Sequence, residues 1–125
     1  MKDIHEQAIL KLCKYFEIDF KYKSTVTDEL YFINRDTGTI SRINPFENMN
    51  DCFMFVNLLI IAGYEFYLFF KQPTEINIDQ KRIGWVSEIR FDGKSIFRSM
   101  CDYPEESIIN VIEIFVDSKI KQTQN

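Results

Sequence analysis

Few side chains in this sequence are equipped for chemistry. The only histidine, His5, stands between Asp3 and Glu6, without further ligands at metal-site spacing, and reads as a solvated histidine at a helix start. Cys13, Cys52 and Cys101 lie in apolar stretches and are odd in number, so buried thiols in a reducing compartment are expected rather than a disulfide framework. Glu105 and Glu106 are a carboxylate pair, but at a helix N-terminus the macrodipole already accounts for them. No C-x-x-C, G-x-S-x-G, H-E-x-x-H or glycine-rich phosphate loop occurs, and four glycines leave little material for one. No catalytic residue, metal ligand or cofactor is therefore assigned, and a non-enzymatic role is expected.

The basic residues offer more. Arg90, Lys94 and Arg98 surround Asp92-Gly93, while Arg35 and Arg42 surround Asp36-Thr37-Gly38. Arginines on strands are ordinarily solvated or paired with acids. The functional alternative is a groove for an acidic partner or a small anion, with Tyr67, Phe69 or Trp85 as stacking surface. The candidate binding residues are Arg90, Arg98, Lys94, Tyr67 and Phe69.

The elements that would position these residues can be read from patterning. A chain of 125 residues, 46% hydrophobic and 27% charged, fits one globular domain, taken as residues 1–119 with a disordered tail over 120–125. Between Cys52 and Gly63 the only strongly polar side chain is Asn57. Asn44 as cap, Pro45 at the first helical position and Glu47 in the first turn predict a helix from Pro45 to Ala62, stopped by Gly63. A membrane span of about 20 apolar residues would have to cross Gly63 and bury Glu65, so none is expected. Residues 3–16 carry Ile4, Ala8, Ile9, Leu12, Cys13 and Phe16 on one helical face. Residues 29–43 read as a hairpin through Asp36-Thr37-Gly38. Tyr64–Lys71, Ile83–Asp92 and Ser95–Cys101 read as strands, the last two joined by a tight Asp92-Gly93 turn, with a polar loop over 72–81. A last helix begins near Pro104.

The expected fold is α+β in the order α-β-β-α-β-β-β-α, an antiparallel sheet with helices on both faces. Trp85 should share the buried sheet face with Ile83, Ile89 and Phe91, while Tyr67, Phe69 and Val86 make the second face too apolar for water, so the first helix or a partner should cover it. The C-terminal α-β-β-β-α order is that of a double-stranded-RNA-binding domain, yet "YPEES" places acids where such a domain needs lysines, so double-stranded RNA is not expected as a partner. Charge agrees with this. Residues 1–62 carry seven Lys and Arg against nine Asp and Glu, and residues 63–125 carry eight against ten, so neither half is basic enough for nucleic acid or an anionic membrane. The opening "MKDIHEQAIL" lacks the order of a secretory signal, which points to the cytoplasm.

"INPFENMNDCFMFVNLLIIAGYEF", "WVSEIRFDGKSIF" and "YPEESIINVIEIF", over roughly residues 44–118, together resemble the phage ABA-sandwich domain family of small phage and prophage proteins. The resemblance implies an α/β sandwich without an established activity, and it transfers no functional residue. It departs at Tyr103, where a Thr or Ser cap would stand, and at Asn57. The expectation is an accessory protein in the host cytoplasm that binds and blocks a host protein in counter-defence or host takeover. The alternatives are a binder of a small, nucleotide-like anion and a virion or assembly component. Surplus apolar surface on the central helix and the sheet further points to a homodimer.

Overall fold

The first and last helices pack against each other, the first also on one of two small sheets and the last on the other. The computed structural model describes residues 2–71 and 84–123. Within them the order is α1 (Asp3–Tyr15), β1 (Asp19–Lys23), β2 (Leu30–Ile33), β3 (Ile40–Arg42), α2 (Met49–Ile61), β4 (Glu65–Lys71), β5 (Gly84–Phe91), β6 (Lys94–Cys101) and α3 (Pro104–Thr123). The class is α+β, as the patterning indicates, and the strands form two antiparallel three-stranded sheets, β1-β2-β3 and β4-β5-β6. Strand β1 is an addition to the expected order. Ile83 and the loop expected over residues 72–81 lie outside the described residues.

Several boundaries shift for local reasons. Helix α2 starts at Met49, with Asn48 as cap: its side chain accepts a hydrogen bond from the Asn50 amide at 2.9 Å. Asn44 organises a turn before the helix instead. Its carbonyl accepts from the amides of Glu47 and Asn48, its side chain accepts from the Phe46 amide at 3.1 Å, and its own amide donates to Asp51 at 2.9 Å. Two asparagines four positions apart are both competent caps, and the second begins the helix. Gly63, at φ +99°, ends it as expected. Asp92 and Gly93 both take positive φ, at 53° and 76°, which is the backbone of a type I′ turn. At the C-terminus α3 continues through Thr123, so residues 120–123 are helical where a disordered tail was expected.

One hydrophobic cluster runs through the whole molecule. Ile9 and Leu12 of α1, Leu30 and Phe32 of β2, Phe55 and Leu59 of α2, Ile89 of β5, and Ile108, Ile112 and Phe115 of α3 are all within it. Helix α3 packs on β5 and β6 and also touches α1 and α2, while α2 packs on β4. The neighbours of α1 are α3 and β1, so α1 does not lie over the second face of β4-β5-β6. Lys11 of α1 bridges to Glu113 and Asp117 of α3 at 2.9 and 3.0 Å. His5 stacks on Phe46, ring centroids 3.9 Å apart, instead of standing free in solvent.

Trp85 differs from the expectation in degree. It shares the helix-facing side of β5 with Ile89, but it is only half-buried, edge-on to Phe70 at 5.3 Å. The deep core position is Phe115, which meets the rings of Tyr15, Tyr64 and Phe97. Phe115→Ala should therefore cost about 3–5 kcal/mol in denaturant unfolding. Trp85→Ala should cost clearly less, and the reverse order would contradict this placement.

Candidate functional site

Strand alternation sorts the C-terminal sheet into two faces. Phe66, Leu68, Ile89 and Phe97 pack into the core cluster, which leaves Tyr67, Phe69, Glu88, Arg90, Arg98 and Met100 on the outer face. The register aligns Tyr67 with Glu88 and Glu88 with Arg98, and likewise Phe69 with Val86 and Val86 with Met100. Each aromatic of β4 thus belongs to a rung that crosses all three strands.

The structure brings four of the five candidate residues together on this face. The Arg90 guanidinium lies 4.4 Å from the centre of the Tyr67 ring, and that of Arg98 lies 5.7 Å from the Phe69 ring. Both are cation–π contacts. Arg90 also donates to the carboxylate of Glu88, which is only 4% exposed. A carboxylate that deep requires a partner, and Arg90 is that partner. Tyr67 donates its hydroxyl to Glu65 at 3.0 Å. Arg98 has no carboxylate partner among the described residues, and it is the open cation of the face. Lys94 is set apart: it stands at the turn end of the β5-β6 hairpin, opposite Phe91, and belongs to neither cation–aromatic pair. The two rings remain accessible, Tyr67 at 42% and Phe69 at 40%.

A concavity of about 600 Å3 lies beside the first sheet. It is lined by Phe16 and Ile18 after α1, by Phe32, Arg35 and Arg42 of the first sheet and its turn, and by Asp51 and Met54 of α2. Its arginines are engaged. Arg35 grips Asp19 through two bonds of 2.5 and 2.7 Å, and Arg42 pairs with Glu29 at 2.5 Å. The Arg35 guanidinium holds the Asp19 carboxyl below its ordinary range. Glu17, Asp36 and Asp51 line the same cleft. Strand β1 supplies Asp19, the partner of Arg35 at the cleft, and the alternation of Phe20 and Tyr22 with Lys21 and Lys23 is the sequence signal for that strand.

Nucleophilic chemistry has little footing. Burial pushes the thiols of Cys13 and Cys52 up to about 12, with Asp51 adding to both and Glu105 to the second. Both are therefore protonated and inert near neutrality. Among the described residues no group of three or more His, Cys, Asp or Glu side chains is placed to hold a metal ion. No helix among them is long and apolar enough to cross a membrane.

Comparison with known protein families, with characterised proteins and with solved structures finds no match. The resemblance to phage ABA-sandwich proteins accordingly rests on the quoted residues alone.

The thiols provide a check on this chemistry. A thiol reagent applied to the native protein at neutral pH should label at most one cysteine, the half-buried Cys101, and all three after denaturation. Labelling of Cys13 or Cys52 without unfolding would contradict their burial.

Proposed function

We propose that this protein is a non-enzymatic binding module that docks an acidic, partly apolar protein surface on the outer face of β4-β5-β6. The observation that carries the reading is the pairing of Arg90 with Tyr67 and of Arg98 with Phe69 on a sheet face on which no helix packs among the described residues. Arginine and aromatic side chains are the types enriched at interface centres, where desolvation gives each contact its value. Here they are also preorganised. Glu88 holds Arg90 from below, and the strand register holds Tyr67 and Phe69, so little side-chain freedom is lost on binding. Arg98 supplies the charge that an acidic partner would meet.

The resemblance to small phage proteins gives this reading its setting, in which the partner is a host protein met in the host cytoplasm and blocked there. The nucleotide-like ligand is the weaker alternative. A concavity large enough for a small molecule lies beside Arg35 and Arg42, but both cations there are already paired and Glu17, Asp36 and Asp51 would repel a phosphate.

Two measurements test the reading. The pair Tyr67→Ala and Arg98→Glu, both at exposed positions, should leave the melting temperature within a few degrees of the parent and abolish recovery of whatever partner the parent captures from host lysate. Equal recovery by parent and variant would overturn the proposed face. In a thermal-shift series with nucleotides no stabilisation is expected, and a saturable shift would favour the ligand reading.

A further inference from the structure

We propose that two copies of the chain join edge to edge along β4, antiparallel about a two-fold axis at Leu68, to make one six-stranded sheet. The inference is independent of what docks on the outer face.

Among the described residues the two sheets have four edge strands, β1, β3, β4 and β6. An edge presents unpaired backbone amides and carbonyls, and proteins blunt such edges with bulges, charges or brevity. Three of these four are blunted. Strand β1 carries a bulge between Phe20 and Tyr22, with Lys21 and Lys23 beside it. Strand β3 has only three residues. Strand β6 carries a register break opposite Ile89 and Arg90, with Arg98 mid-strand. Strand β4 has no bulge, is not short, and carries its only charges, Glu65 and Lys71, at its two ends. It pairs with β5 through seven unbroken positions, its five central residues are Phe66, Tyr67, Leu68, Phe69 and Phe70, and β5 is its only strand neighbour among the described residues.

Its sequence is also complementary to itself when reversed. With Leu68 opposite Leu68 of the second copy, Glu65 of each faces Lys71 of the other, Phe66 faces Phe70, and Tyr67 faces Phe69. Every rung is then an opposite-charge, aromatic or aliphatic pair, the combinations that stabilise antiparallel neighbours. Phe70, exposed on the helix-facing side, would be covered. Shifting the register by one residue would break both charge pairs and turn each copy's apolar side outward relative to the other. Helix α2, which packs on β4, adds apolar surface for such a contact through Phe53, Ile60 and Ile61, exposed by 44, 52 and 81%.

The register makes a charge-swap test specific. By light scattering at micromolar concentration the parent should have twice the chain mass of 15.0 kDa. Glu65→Lys places an introduced lysine opposite Lys71 twice per dimer, and Lys71→Glu places an introduced glutamate opposite Glu65, so each alone should weaken the dimer by about tenfold. Mixed in equal amounts, the two variants should recover parental affinity as a heterodimer, because both rungs are again of opposite charge. One variant carrying an affinity tag retrieves the other and reports this. A monomeric parent, a dimer indifferent to both substitutions, or a mixture no tighter than its components would each overturn the proposal. Circular dichroism of each variant confirms that the fold is retained, so that dissociation is read at the edge.

Discussion

Helix α3 buries Ser107, Ile108, Ile109, Val111, Ile112, Phe115 and Val116, and the placement of the β4-β5-β6 sheet and of the other two helices follows from that burial. Each apolar side chain removed from water contributes roughly 1.5–3 kcal/mol. The gross gain along this one helix therefore approaches the net stability of a whole domain, about 5–15 kcal/mol. The helix touches β5 and β6 and also α1 and α2, which makes it the link between the second sheet and the other two helices. Its register is fixed by hydroxyls rather than by shape alone. Ser87 on β5 donates to the Ser107 carbonyl at 2.5 Å and lies 2.6 Å from its hydroxyl, which in turn donates to the Ser99 carbonyl of β6 at 3.1 Å. Polar groups this deep tolerate little displacement, because a slipped helix would leave them buried and unpaired.

Helix α3 covers only one side of β4-β5-β6. The opposite side keeps a buried Glu88 in the middle of a sheet face, and the surrounding residues follow from the need to satisfy it. Arg90 neutralises the carboxylate, Tyr67 lies under the Arg90 guanidinium, and Tyr67 and Arg98 flank Glu88 in the register. The exposed aromatic and cationic character of the face is in this sense a structural consequence that recognition can use. Among the described residues β4 is an edge strand, and helices α2 and α3 pack on the sheet without pairing with it.

Element types were legible in the sequence wherever apolar periodicity was strong, as in α1, α3 and the β5-β6 hairpin with its Asp92-Gly93 turn. Strand β1 was harder to read, because its aromatic–lysine alternation is only five residues long and four of those residues are exposed, so no core face supports it. The division into two sheets was also hidden, since pairing partners follow from how α1 and α2 separate the strands in space. The start of α2 was misplaced because Asn44 and Asn48 are equally competent caps, and only the turn that Asn44 closes on Asp51 decides between them. For the site, the residue types on Tyr67, Phe69, Arg90 and Arg98 could be read as a set, but their assembly depended on a register the sequence does not state. Lys94, grouped with them by proximity in sequence, is separated from the paired face by its place at the turn.

The account stands on a rigid core at α3 and on the proposal that a second copy pairs with the β4 edge, where β5 is the only strand neighbour among the described residues. Amide hydrogen exchange, followed by mass spectrometry over a dilution series from high to low micromolar protein, addresses both. Peptides spanning residues 108–116 should remain protected at every concentration, while peptides spanning residues 65–71 should lose protection as the protein is diluted. Protection of residues 65–71 that is unchanged across the whole range would contradict the account.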